Sequence, residues 1–227
     1  MSLCRVHPPG PEPDADLLER CTRLPTSILS DSMDRTGAVA GVRWTPGGRW
    51  PRVAGPALTV RTRPGDNLVV HHALDIVTPG AVLVVDGGGH GERAVLGEIM
   101  ARYAAAQGVR AIVIDGAIRD VDGLAAGPVP VFARAVSHLG PYKDGPGEIR
   151  GSVSVGGTVV RCGDVVVGDA DGIVVVPAER AGQVVELAED RLRDEERTFA
   201  AIAAGTLDRS WVRAAIDEVL VEAQVRS

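Results

Sequence analysis

VLVVDGGGHGERAVLGEIMARYAAAQGVRAIVIDGAIRDVDGL, residues 82–124, decides the fold. Two aliphatic runs, Val82–Asp86 and Ala111–Asp115, carry no polar residue before their last position, the pattern of strands buried on both faces. Between them Gly97–Ala106 has helical composition, and Gly108 stands where a helix ends in a left-handed residue. Strand, helix and strand form one βαβ unit with a right-handed crossover. Each strand run ends in Asp-Gly, and open α/β sheets present functional groups at the carboxyl ends of their strands. Chemistry is therefore expected just after Asp86 and just after Asp115.

The first of these positions opens a glycine-rich loop, Gly87-Gly88-Gly89-His90-Gly91, which reads as leading into the helix, with Glu98 about one and a half turns along it. The loop has neither GxGxxG in register nor GxxxxGK[ST], so dinucleotide and nucleoside triphosphate binding are not indicated. Its backbone amides, Gly89 and Gly91 among them, suit the carboxylate or enolate oxygen of a small keto acid, with His90 as a further candidate. The second position delivers Arg119 and Asp120. Two carboxylates and a guanidinium then share one sheet edge: hard oxygen ligands suit Mg²⁺ or Mn²⁺, and a planar arginine fork matches a substrate carboxylate. The same residues also suit a surface turn with a local ion pair and an exposed helical glutamate.

The segment GEIMARYAAAQGVRAIVIDGAIRDVDGL resembles the class II 4-hydroxy-4-methyl-2-oxoglutarate/4-carboxy-4-hydroxy-2-oxoadipate aldolases and their RraA-like relatives. The family signature is an acidic residue, twenty intervening residues and Arg-Asp, here Glu98 to Arg119-Asp120, with glutamate where aspartate is more familiar. Asp122 matches a further acidic position of the aldolase branch. The resemblance spans residues 24–212. It implies a layered α/β sandwich of the swivelling β/β/α type, with mixed sheets and C-terminal helices, in a homotrimer or hexamer with active sites between subunits. It also implies a divalent metal at Asp120, with Glu195 or Glu196 reaching in from the neighbouring subunit. Arg119, Glu98, Gly97, Gly89 and Gly91 would meet the substrate. The activity implied is cleavage of a 4-hydroxy-2-oxo acid to pyruvate through an enolate, with decarboxylation of oxaloacetate as a side reaction. The rival within the family is a non-catalytic RraA-type regulator that binds a ribonuclease. A quinone methyltransferase has no nucleoside loop to support it.

Composition narrows the partners. The chain has 227 residues, 45% of them apolar, enough for one sizeable domain, and a net charge of −6 without a basic cluster, which argues against a nucleic-acid backbone as partner. Trp44, Trp50, Phe132 and Trp211 are too scattered for a base-stacking platform. Cys4, Cys21 and Cys162 make neither a disulfide framework nor a zinc motif, which suits a reducing cytoplasm. No apolar run approaches the roughly 20 residues of a membrane span. The only lysine, Lys143, lies in a glycine- and proline-rich loop, so a Schiff-base aldolase is not suggested.

Outside the central unit, residues 1–14 read as a loose arm, 15–176 as the catalytic α/β domain and 177–227 as C-terminal helices. A helix over Ala15–Arg23 and a second from Thr26 or Ser27 to Gly37 are expected as scaffold, followed by a loop over Ala38–Arg52. Gly55–Thr62 reads as a strand and Asn67–Val77 as a helix capped by Asp66, with His71 and His72 on different faces and so unsuited to chelate one ion. Short valine-rich strands follow at Val129–Arg134, Gly151–Val155, Thr158–Cys162, Asp164–Val167 and Gly172–Val176. Asp169 and Asp171 lie in a turn that lacks calcium-loop spacing. A long helix after Pro177 reaches Ala204, and a last one, Asp208–Ala223, carries Trp211, Ile216, Val219 and Leu220 as an apolar face for a neighbour.

Overall fold

The computed structural model describes residues 4–44 and 52–225, with the side chains of 44 and 220–225 left out. Trp50 and the middle of the expected 38–52 loop lie outside the described residues, as do the side chains of Trp44 and Leu220. Two compact units result, 1–188 and 189–227.

The first unit begins with β1 (Cys4–Val6), α1 (Ala15–Arg23), α2 (Thr26–Asp31), β2 (Arg43–Trp44), β3 (Val53–Thr62) and α3 (Leu68–Asp75). The central βαβ unit is β4 (Val82–Leu96), α4 (Glu98–Ala106) and β5 (Ala111–Ile118), and α5 (Val121–Ala125) and β6 (Val131–Val136) follow it. Five short strands come next: β7 (Gly147–Ile149), β8 (Val153–Val155), β9 (Thr158–Val160), β10 (Val165–Gly168) and β11 (Ile173–Val176). The helix α6 (Ala181–Ala204) starts in this unit and continues into the second, where α7 (Ser210–Val225) follows.

The main path of the sheet runs β1-β7-β3-β4-β5-β6-β2, with β3, β4, β5 and β6 parallel. β3 serves three partners, β7 at its end among them. Its first half, Val53–Pro56, pairs antiparallel with β10, and Ala57–Arg61 pairs parallel with β4. Alternate residues of β4 separate the two cores. Leu83 and Val85 pack with α3, α4 and α5 residues such as Val70, Leu74, Met100 and Leu124, while Val82 and Val84 meet Val153, Val155, Val160, Val166 and Val175 from the hairpins. Helices therefore cover one face and β-hairpins the other, the layered α/β sandwich expected.

Several local expectations are corrected. Residues 4–6 form a strand paired in parallel with Gly147–Ile149, so the proline-rich start is tied to the sheet edge, a pairing composition does not signal. The second helix stops at Asp31 rather than Gly37, because Asp34 and Arg35 adopt positive φ. Neither Thr26 nor Ser27 caps it: the N-cap position is Pro25, and the Asp169 carboxylate, far along the chain, accepts from the Thr26 amide (2.9 Å) and hydroxyl (2.7 Å). Asp66 is fully buried one residue before the N-cap position of α3, accepting from the amides of Leu68, Asp144 and Gly145. The glycine-rich segment is no loop at a helix start but part of β4, which stays paired with β5 through three register shifts.

Candidate functional site

Because β4 runs to Leu96, Glu98 is the first residue of α4 and not one and a half turns along it; Gly97 occupies the N-cap position. β5 likewise runs past Asp115 to Ile118, so Arg119 follows directly on Leu96's strand partner, and its amide donates to the Leu96 carbonyl at 3.0 Å. Register alone thus sets Gly97-Glu98 beside Arg119-Asp120.

Asp120 adopts the left-handed conformation, φ 59° and ψ 43°, one that aspartate tolerates better than most side chains. In this posture its Oδ2 accepts from the Glu98 amide at 3.2 Å and lies 3.6 Å from Arg119 Nε. A carboxylate at the N-terminus of α4 also meets the positive end of the helix dipole. Gly97 leaves the space this needs: a Cβ there would lie 2.4 Å from Asp120 Oδ2 and 3.1 Å from Arg119 Cγ. The Glu98 carboxylate bonds Arg102 Nε at 2.8 Å and reaches over Gly123, where a Cβ would come within 2.1 Å of Oε2. Arg119 and Asp120 are a little under half exposed, open to a ligand.

Gly97, Arg119 and Asp120, though not Glu98, border a cavity of about 150 Å³ lined also by Asn67, His71 and Lys143, with aliphatic neighbours. Three of these were not expected. Asn67 is buried; its Nδ2 donates to the Val95 carbonyl at 3.1 Å, while Oδ1 has no hydrogen-bond partner among the described residues. His71 is held below its ordinary pKa by burial first and by the Lys143 charge second, against the opposing pull of Asp75. Lys143, set aside in the sequence as a loop lysine, borders the same space. Neither spacing nor periodicity joins 67, 71 and 143 to 119; only the packing of α3 and the 141–146 segment against this corner does.

Gly89 and Gly91 lie elsewhere on β4. A Cβ at Gly89 would sit 3.6 Å from Arg134 Nε and 3.8 Å from Asp115 Oδ1, and one at Gly91 would sit 3.3 Å from the Ala135 Cβ. His90 pairs in register with Gly116, outside the lining of the Arg119 cavity. Glu195 and Glu196 are exposed on α6 in the second unit.

Residues 26–175 match the RraA-like family described as Aldolase/RraA. The chain belongs to the RraA-like family. Over 191 residues, 84% of this chain and 90% of the relative, it is 35% identical to a Halalkalibacterium halodurans protein provisionally named a 4-hydroxy-4-methyl-2-oxoglutarate aldolase. Among RraA-like structures, an uncharacterized protein from Pseudomonas syringae pv. tomato superposes with a TM-score of 0.76 at 30% identity, over 87% of this chain and 97% of that one. Streptomyces coelicolor RraAS2, described as an unusual member of the RNase ES inhibitor RraA protein family, gives 0.74 at 28%, over 83% and 98%. No helix among the described residues is long and apolar enough to cross a membrane.

Among the described residues no group of three or more His, Cys, Asp and Glu side chains is placed to hold a metal ion. The site's own donors are the carboxylates of Asp120 and Glu98. Mg²⁺ keeps several waters and commonly needs only one or two protein carboxylates, so this donor set suits a largely hydrated divalent ion.

Proposed function

We propose that the chain is a divalent-metal-dependent pyruvate aldolase, a carbon–carbon lyase acting on a 4-hydroxy-2-oxo acid of the 4-hydroxy-4-methyl-2-oxoglutarate type, with oxaloacetate decarboxylation as a side activity. The supporting observation is the meeting of Arg119 and left-handed Asp120 with the first turn of α4 at one cavity.

Asp120 would hold Mg²⁺ or Mn²⁺ together with water, and Glu195 or Glu196 of the partner subunit in a trimer or hexamer would complete the set. When bound, the ion supplies Lewis-acid stabilisation of developing negative charge. The Arg119 guanidinium grips the carboxylate of the pyruvate half and faces the keto oxygen, where charge accumulates as the C3–C4 bond breaks. The first amides of a helix have no intrahelical acceptor, so those of Ile99 and Met100 supply the backbone donors assigned in the sequence to Gly89 and Gly91. Glu98, released from Arg102, takes the proton of the 4-hydroxyl and returns one to C3 of the pyruvate enolate. Asn67, His71 and Lys143 border the space left for the distal half of the substrate.

Pyruvate release from 4-hydroxy-4-methyl-2-oxoglutarate and from oxaloacetate, with Mg²⁺ and with chelator, tests the reading. Metal-dependent release that Arg119→Ala and Asp120→Ala abolish is the expected result. Release that survives chelation would remove the metal from the mechanism. No release from either substrate would favour a binding role, the reading suggested by RraAS2's described membership of an RNase inhibitor family.

A further inference from the structure

A second, larger cavity lies at the opposite end of β5 from Arg119. Its volume is about 290 Å³, and it is closed on one side by the arm Pro9–Pro13. That arm is anchored at both ends, by β1 on β7 and by α1. Its backbone touches the main domain directly: a Cβ at Gly10 would lie 1.9 Å from the Cys162 carbonyl oxygen, and one at Gly163 would lie 2.4 Å from the Pro11 carbonyl oxygen. Three prolines of the arm, Leu18, Leu58, Ile76 and Pro79 make most of the wall aliphatic.

Two arginines far apart in sequence enter this aliphatic wall. Arg110 Nη1 donates to the Ala54 carbonyl at 3.2 Å, and Arg150 Nη2 donates to the Ile76 carbonyl at 3.3 Å. Neither has a carboxylate partner among the described residues, in a chain where acids outnumber Lys and Arg by 30 to 24 and most well-placed arginines pair with them. Glu12, the one acid of the wall, is exposed and bonds neither. Arg150 also holds a left-handed backbone, φ 65°, stabilised by its amide donating to the Thr59 carbonyl at 2.7 Å. Each guanidinium is thus oriented by one carbonyl and keeps further donors for an anion.

We propose that this cavity binds a small organic monoanion, a carboxylate carried on a ring or short branched chain. The two guanidiniums take the carboxylate, and the prolines and aliphatic side chains take the apolar body. A compact phosphate fits poorly, because most of its oxygens would face apolar walls without donors. The site is separate from the Arg119 cavity by the length of β5, roughly 25 Å at strand rise.

Benzoate titrated into the full-length protein, followed by calorimetry and ligand-observed NMR, tests the proposal. Saturable binding is expected with a dissociation constant of about 1 mM or below, and neutral benzamide about tenfold weaker or worse. Arg110→Gln should weaken benzoate about tenfold, Arg110→Lys less, and Arg119→Ala not at all. Absence of benzoate binding would overturn the proposal. So would loss in Arg119→Ala with retention in Arg110→Gln, which would place the ligand in the candidate active site, or inorganic phosphate competing as well as benzoate. If Arg110→Gln does not fold, the benzoate-to-benzamide ratio of wild type against Arg110→Lys decides: an equal ratio near one in both overturns it.

Discussion

The aspartates that end the two aliphatic runs and the aspartate that follows Arg119 lie close together on the central sheet and are satisfied differently. Asp86 and Asp115 sit at the Asp-Gly ends of the two aliphatic runs, yet both are satisfied by the fold. Asp86 accepts from the Ser154 amide at 3.3 Å, and Asp115 accepts from the Gly156 amide at 2.7 Å while pairing with Arg134. These carboxylates dock the β8–β9 hairpin. Among the described residues Asp120, a few positions on, has only the Glu98 amide and the loose Arg119 contact, and it borders a cavity. A carboxylate whose acceptors are filled by backbone amides is structural; one left half open beside a guanidinium is available for chemistry.

Exchanging the two kinds of aspartate is the sharpest way to break this comparison. Arg119→Ala and Asp120→Asn should each lower kcat/KM for pyruvate release by about 10²–10³-fold, while asparagine, which tolerates the left-handed backbone, should leave stability within about 0.5 kcal/mol in urea unfolding. Asp115→Ala should do the reverse. It strands Arg134 and the Gly156 amide, and since Arg134 remains a third exposed a loss of about 2–4 kcal/mol is expected, less than for a fully buried pair. A variant of Asp115 that keeps stability and loses activity would dissolve the distinction.

Gly97→Ala sharpens it further. Gly97 has φ −139°, which alanine adopts freely, so the effect is a methyl against the Asp120 carboxylate and the Arg119 side chain. A drop of about 10–100-fold in kcat/KM is expected without a shift in thermal midpoint. A smaller effect belongs to Asp169. Burial pushes its pKa up, but bonds from the Thr26 amide and hydroxyl, the Asp171 amide and the Arg52 charge outweigh this and hold it below the ordinary carboxylate value. A depressed carboxylate contributes stability present above the unfolded pKa and lost as pH falls through the folded one. Asp169→Asn should therefore cost about 1–2 kcal/mol at pH 7, and its deficit against wild type should shrink on acidification below about pH 4. The smallest expected effect is at His71, whose pKa is lowered. The unfolded chain binds its proton first, so the wild type should lose slightly more stability than His71→Gln as pH falls through about 6.5.

Much of this fold is legible in the sequence. Aliphatic runs without polar interruption named β4 and β5, Gly108 marked the end of α4 with φ 81°, and the alternation of valines marked the hairpins. Glu98, Arg119 and Asp120 were legible because one βαβ unit brings its strand ends together whatever surrounds it. The glycine-rich segment misled, since six residues from 86 to 91 resemble a loop in composition, and only pairing with β5 through bulges keeps them in a strand. β1 and β7 were missed because their residues, CRV and GEI, lack the valine alternation that marks the equally short β8 and β9.

Local pattern, then, determined the central strands and the helix between them, and with them the nearness of Glu98 to Arg119-Asp120, because these depend on side-chain period and on neighbours a few residues away. Tertiary structure alone decided that Asp169 caps α2, that Asp86 and Asp115 hold a hairpin, and that Asn67, His71 and Lys143 share a cavity with Arg119. Each of these rests on contacts between segments distant in the chain, where hydrogen-bond geometry and packing, not residue type, choose which polar group is satisfied and which stays open.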